Sequence, residues 1–195
     1  MNKAMITMTV ALGALQLGGC KRKQETTSPQ SLVIEREVPE KIRPIWEHIK
    51  AQSKSHGMPE ELLKAIITVE SGGDPNNEAS RFEPRVEAKA KNRAKATSWG
   101  VMQVIPYFHL GKGKSCDGIA ETWSDLVGRK NIETNIKCGL AALSSCWVKQ
   151  KAESESERLK KSLDCYNGDP TGTYSKKILN QFAEYMLDGK QLFRK

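Results

Sequence analysis

The chain lacks the features of a membrane-embedded, fibrous or unfolded protein. Hydrophobic residues make up 38% and aromatic residues only 6%, which argues against a polytopic membrane protein. The same composition, with 28% charged residues, excludes a collagen and a wholly disordered chain. There is no C-x-x-C pair, so a zinc site has little support. No β alternation of useful length and no internal repeat is present. The 195 residues are enough for one domain plus a short appendage, with a core that needs no metal or staple. The net charge of +8 favours anionic partners. Charge alone does not choose between nucleic acid, phospholipid and acidic polymer.

The N-terminus narrows that choice. Asn2-Lys3 is a short polar start, and residues 4–19 are apolar or small apart from Thr7, Thr9 and Gln16. The run is short for a bilayer-spanning helix, which needs ~20 residues, and suits the apolar core of a secretory signal. It ends in Leu17-Gly18-Gly19-Cys20, followed by Lys21-Arg22-Lys23. This segment resembles the bacterial lipobox. The resemblance implies a signal peptide over residues 1–19 and a lipidated Cys20 at the head of the mature chain. Small residues before the cut let the chain enter a peptidase cleft, and the thiol is the nucleophile for lipid attachment. A plain cleaved signal and a retained anchor are the competing readings. All three export the rest of the chain and count strongly against nucleic acid as a partner. The expected location is the bacterial cell envelope, on a membrane facing the periplasm; Lys21 is compatible with the outer membrane.

Beyond Cys20 the cysteines are Cys116, Cys138, Cys146 and Cys165. An even number in an oxidising compartment implies two disulfides. Cys138 and Cys146 share a predicted helix and stand ~12 Å apart along its axis, beyond the ~7 Å reach of a bridge. Two connectivities stay open: 116–138 with 146–165, or 116–146 with 138–165.

Residues 20–40, polar and interrupted by Pro29 and Pro39, form a flexible tether to a domain over 41–195. That domain is predicted to be mainly α. Ile45, Trp46 and Ile49 mark a first helix, stopped by Gly57. Pro59, Glu60 and Glu61 open a second, with Leu62, Leu63, Ile66 and Ile67 inward and Gly72-Gly73-Asp74-Pro75 closing it. Residues 74–98 read only as polar and loop-rich. A third helix is expected from about Glu133 to Gln150, and a last one over 175–188.

Glu70 stands out. It lies seven residues beyond Leu63 and four beyond Ile66, so it shares the inward stripe. Burial disfavours a charged carboxylate and raises its pKa. A carboxylic acid that keeps its proton near neutral pH can cleave a glycosidic bond by general acid catalysis. The structural alternative is a solvated glutamate at a frayed helix end.

The words around Glu70 strengthen the catalytic reading. Glu70-Ser71-Gly72-Gly73-Asp74-Pro75, Ser98-Trp99-Gly100-Val101-Met102-Gln103-Val104-Ile105-Pro106 and Cys165-Tyr166-Asn167-Gly168 resemble, in order, the three motifs of the lysozyme-like lytic transglycosylases. Asn135-Ile136-Lys137-Cys138-Gly139-Leu140 also fits the family. The resemblance spans roughly residues 41–188. It implies a lysozyme-like helical fold and cleavage of the β-1,4 bond between N-acetylmuramic acid and N-acetylglucosamine in peptidoglycan strands. One glutamate, Glu70, does the work, with no metal and no cofactor.

The resemblance also implies the substrate-binding residues. Gly100 lets backbone approach a sugar, Met102 offers an apolar contact beside the acid, and Gln103 pairs with sugar or backbone amides. Ser71 and Ser98 are expected to bond Glu70 or the acetamido group. Tyr166 is expected to orient Glu70, Asn167 to read sugar or peptide, and Tyr174 to line the groove. Each has a structural counterpart: core for Met102, a helix-end cap for Ser71, a turn for Gly100, core packing for Trp99. The basic segment 89–95 reads as a solvated face. Three departures from the family pattern are the long 76–97 insertion, Cys165 in place of alanine, and Asp169 where glycine is common. The insertion brings further carboxylates, Glu78, Glu83 and Glu87. They motivate one rival, a goose-type-lysozyme-like hydrolase. The others are a non-catalytic glycan-binding lipoprotein and an exported DNA-binding protein.

Overall fold

The computed structural model describes residues 40–74 and 81–191. The expected signal peptide, Cys20 and all of the expected tether except Glu40 lie outside the described residues, as does Glu78. Among the described residues the protein is mainly helical, with seven α-helices and one two-stranded sheet.

A 3-10 turn over Glu40–Ile45 runs into α1, Trp46–His56. Gly57 ends α1 in the left-handed region (φ 63°), which glycine adopts without steric cost. The second helix, α2, covers Glu60–Ser71 and begins directly after Pro59, one residue later than expected. Gly72 closes it, also left-handed. The buried stripe of α2 is Leu62, Leu63, Ile66 and Ile67, as the spacing required.

The segment that the sequence left unassigned holds strand β1 (Arg81–Phe82), helix α3 (Pro84–Ala90), a 3-10 turn (Ala94–Ala96) and strand β2 (Thr97–Ser98). The strands are antiparallel, Arg81 opposite Ser98 and Phe82 opposite Thr97. Two-residue strands leave no alternation for a sequence pattern to show. Lys89, Lys91, Arg93 and Lys95 are exposed, and the Arg93 guanidinium lies 4.4 Å above the Phe82 ring.

After the short α4 (Pro106–His109) come α5 (Ile132–Lys149), α6 (Glu155–Asn167) and α7 (Thr173–Gln191). Helix α6 was not foreseen. Its sequence, ESERLKKSLDCYN, buries only Ser162 and Leu163, too little apolar surface to write a stripe. It starts on Ser154, whose hydroxyl accepts the Glu157 amide. Helix α2 packs on α1 and α7, α6 on α5 and α7, and α5 on α1, so five helices close a ring of contacts. Ile45, Ile49, Leu63, Ile66, Ile67, Ile136, Leu163 and Ile178 fill its centre, each with no exposed surface.

Of the two open connectivities, the structure has Cys116–Cys138 and Cys146–Cys165, with Cα separations of 5.0 and 5.9 Å. The first is buried and fastens the loop after α4 to α5. The second joins the end of α5 to the end of α6, where Cys165 is exposed.

Candidate active site

Glu70 sits in the last turn of α2 and is half-buried. Its Oε1 accepts a hydrogen bond from the Tyr174 hydroxyl at 2.5 Å. Tyr174 is buried at the start of α7. Burial, and then the charge of Glu70, push its phenol far above the ordinary value of 10. The hydroxyl is therefore a fixed donor to the carboxyl group. Further along the same two helices Thr68 and Tyr185 join hydroxyls at 2.8 Å. The face between α2 and α7 is thus pinned at both Glu70 and Thr68.

The second motif is a tight hairpin. Trp99 and Val104 exchange two backbone hydrogen bonds of 3.0 Å, enclosing Gly100-Val101-Met102-Gln103. Gly100 and Gln103 both take positive φ, 71° and 49°. The Gln103 side chain holds the loop from within: Nε2 donates to the Gly100 carbonyl at 2.7 Å and Oε1 accepts from Ser98 Oγ at 2.9 Å. From outside, the buried Asn135 of α5 accepts the Met102 amide at 2.8 Å. It also donates to the carbonyls of Trp99 and Leu126 at 2.8 and 3.0 Å. One side-chain amide therefore bonds three backbone groups, of which the Trp99 carbonyl also accepts the Val104 amide.

The third motif joins the other two. Tyr166, in the last turn of α6, donates its hydroxyl to the Met102 carbonyl at 2.5 Å. Its phenol is held well above 10 by burial and then by the charge of Glu70. Glu70, the hairpin and the ends of α6 and α7 thus form one polar cluster.

Tyr174, expected to line the groove, holds Glu70; Tyr166, expected to hold Glu70, braces the hairpin. Met102 is fully buried against Gly139, at the foundation of the hairpin. Gly100 is buried and packed against Asn135. Ser71 donates to the Ile67 carbonyl at 3.0 Å, as a helix-end serine does. Trp99 donates its indole N–H to the Ala94 carbonyl at 2.8 Å and stacks on Trp123 with ring centroids 4.7 Å apart. Asn167 is half-buried at the end of α6. Sequence reasoning passed over Asn135 as a site residue. Its signal was a polar residue beside Ile136 on the inward stripe of α5.

A family model described as Transglycosylase SLT domain matches residues 47–177, a span that holds all three motifs, Tyr174 and both disulfides. No curated protein and no solved structure matches the chain. The mainly helical architecture agrees with the lysozyme-like fold that the motifs implied. Because the match covers well over half of its length, the chain belongs to the Transglycosylase SLT domain family.

Proposed function

We propose that the protein is a peptidoglycan lytic transglycosylase with Glu70 as its single catalytic residue. The observation that carries this reading is the half-buried Glu70 held at one oxygen by Tyr174. In this reading Tyr174 donates to Oε1 and the proton is carried on Oε2. Protonated Glu70 gives that proton to the oxygen of the scissile β-1,4 bond, and the 2-acetamido group of the muramyl sugar stabilises the oxocarbenium-like centre. Glu70, now a carboxylate, takes the proton of the same sugar's C6 hydroxyl as that oxygen bonds to C1. The products are a 1,6-anhydromuramyl end and a free N-acetylglucosamine end. Water is neither consumed nor released, and the acid is regenerated. Gln103 and Asn167 bind the glycan around this centre, while Ser98, Gly100, Met102 and Tyr166 keep the hairpin in place.

The chain acts outside the cytoplasm, where its two disulfides form. Residues 1–19 are removed as a signal, Cys20 bears the lipid that anchors the enzyme to the membrane, and residues 20–40 tether the catalytic domain of 41–195. The family match supports the enzymatic part of this reading.

The test is the product profile of isolated sacculi treated with wild type and with Glu70→Gln, read by mass spectrometry. Anhydro ends, lighter than reducing ends by one water, are expected from wild type and not from the folded variant. Reducing ends alone would mean a hydrolase of the goose-type-lysozyme kind. Unchanged turnover by Glu70→Gln would mean a non-catalytic glycan-binding protein. Labelling with a radioactive fatty acid, retained by wild type and lost in Cys20→Ser, tests the anchor.

A further inference from the structure

The catalytic reading leaves unexplained why this chain carries aspartate at 169. The structure gives that carboxylate a definite task. Asp169 Oδ2 accepts the backbone N–H of Tyr174 at 2.7 Å. Its Oδ1 accepts the N–H and the hydroxyl of Thr171 at 2.8 and 2.6 Å. A second carboxylate, Asp164 Oδ1 on α6, accepts the next amide, that of Ser175, at 2.8 Å. The first amides of a helix have no partner within it, and a negative charge beside them is favoured by the helix dipole. Here the two amides so captured belong to Tyr174 and its neighbour, and Tyr174 holds the catalytic oxygen.

We propose that Asp169 and Asp164 are positioning residues that act on catalysis through Tyr174. They fix the first turn of α7 in rotation and height, so that the phenol hydroxyl reaches Glu70 Oε1. The segment between them is itself fastened: Cys165 by its disulfide to α5 and Tyr166 to the Met102 carbonyl. The Asp169 amide donates back to the Asp164 carbonyl at 2.9 Å. The clamp is thus a rigid link between the third motif and the acid. Multiple hydrogen bonds hold the Asp169 carboxyl down at about 2, so the clamp stays charged wherever the enzyme works. Its influence is on geometry and not on a pH switch of its own. The inference rests on the proposed role of Glu70.

A double-mutant cycle tests it. Asp169→Ala is expected to lower kcat about tenfold with KM nearly unchanged, the loss expected when a helix cap and one well-placed hydrogen bond are weakened together. Asp169→Asn keeps an acceptor for the Tyr174 amide and is expected to recover most of kcat. In a Tyr174→Phe background, Asp169→Ala is expected to do nothing further to kcat, because the link it serves is already gone. Equal losses in both backgrounds would overturn the proposal, and so would failure of Asp169→Asn to rescue. If Asp169→Ala does not fold, Thr171→Val loosens the same carboxylate and takes its place in the cycle.

The titration of the Glu70 side-chain carbon by NMR gives a readout that needs no turnover. Asp169→Ala and Tyr174→Phe should both raise its midpoint, since each withdraws a donor from the carboxylate. Raised midpoints in a wild-type protein that produces no anhydro ends would sustain the clamp and reject the catalytic reading. An active wild type with an unmoved midpoint in Asp169→Ala would do the reverse.

Discussion

Gly100 sits at φ 71°, and an ideal Cβ built on it would lie 2.3 Å from Asn135 Nδ2, 2.4 Å from the Leu126 carbonyl oxygen and 2.5 Å from Asn135 Cγ. None of these atoms can step aside cheaply. One is backbone, and the other two belong to the amide that serves Met102, Trp99 and Leu126. In Gly100→Ala the left-handed backbone costs roughly 1 kcal/mol. Relief of the clash then costs about 1–3 kcal/mol as overpacking, or a similar amount as a buried group stripped of its partner, whichever is less. The expected loss is about 2–4 kcal/mol. Gly72→Ala is the matched control: φ is 68° and nothing lies within 4 Å of its Cβ position, so only the backbone cost of roughly 1 kcal/mol remains. Urea unfolding followed by tryptophan fluorescence measures both. Equal losses in the two variants would show that contact with Asn135 does not require a glycine at position 100. The anchoring of the second motif argued above would then be wrong.

Other outcomes follow from the same contacts. In Gly139→Ala the new Cβ meets Met102 Cβ at 2.6 Å, so the hairpin is pushed from below. A loss of about 1–3 kcal/mol in thermal unfolding is expected, with reduced activity, because the displaced Met102 carbonyl is the acceptor of Tyr166. Replacing Cys146 and Cys165 together by serine opens a loop with a sequence separation of 19 and should cost about 3 kcal/mol in denaturant unfolding. His109 is held down to about 4, by burial first and then by Lys114 and Lys149, against 6.5 when unfolded. Between those values the unfolded chain binds the extra proton. The His109 contribution is therefore complete above pH 6.5 and declines as pH falls toward 4, a slope that His109→Gln should flatten in pH-dependent unfolding.

The legible parts of the molecule were those in which one short stretch of sequence carries the whole physical cause. Helices α2 and α5 bury apolar stripes of several large residues, α1 and α7 bury Ile49 and the pair Tyr174 and Ile178, and Gly57 and Gly72 stop the first two at the places expected. The partial burial of Glu70 was legible because a charge on such a stripe is conspicuous. Helix α6 was not, because it is held by its neighbours and by a disulfide more than by its own apolar face. The strands and α3 were lost for a related reason: two-residue strands and a seven-residue helix are too short for any period. The site failed to read where a role depends on a contact distant in sequence. The family resemblance placed Tyr166 near the acid and Tyr174 in the groove, but only the packing of α7 on α2 decides which hydroxyl reaches Glu70. The tasks of Asn135 and Asp169 are likewise set by amides that the chain brings to them.

Under the proposed mechanism Glu70 has two opposed duties, and its surroundings serve each. As an acid it must keep a proton, and partial burial helps by penalising the charged form. As a base it must then bear a full charge while the C6 hydroxyl approaches. A phenol that cannot ionise, aimed at Oε1, favours that charge. The hydrogen bond is weak to a neutral acid and stronger to a carboxylate, so its help grows as the proton leaves, when the reaction needs it. A donor that drifted would lose this selectivity before it lost its average bond. The stiffness of the first turn of α7, set by two aspartates and a disulfide-tied helix end, is therefore part of the chemistry as much as of the fold.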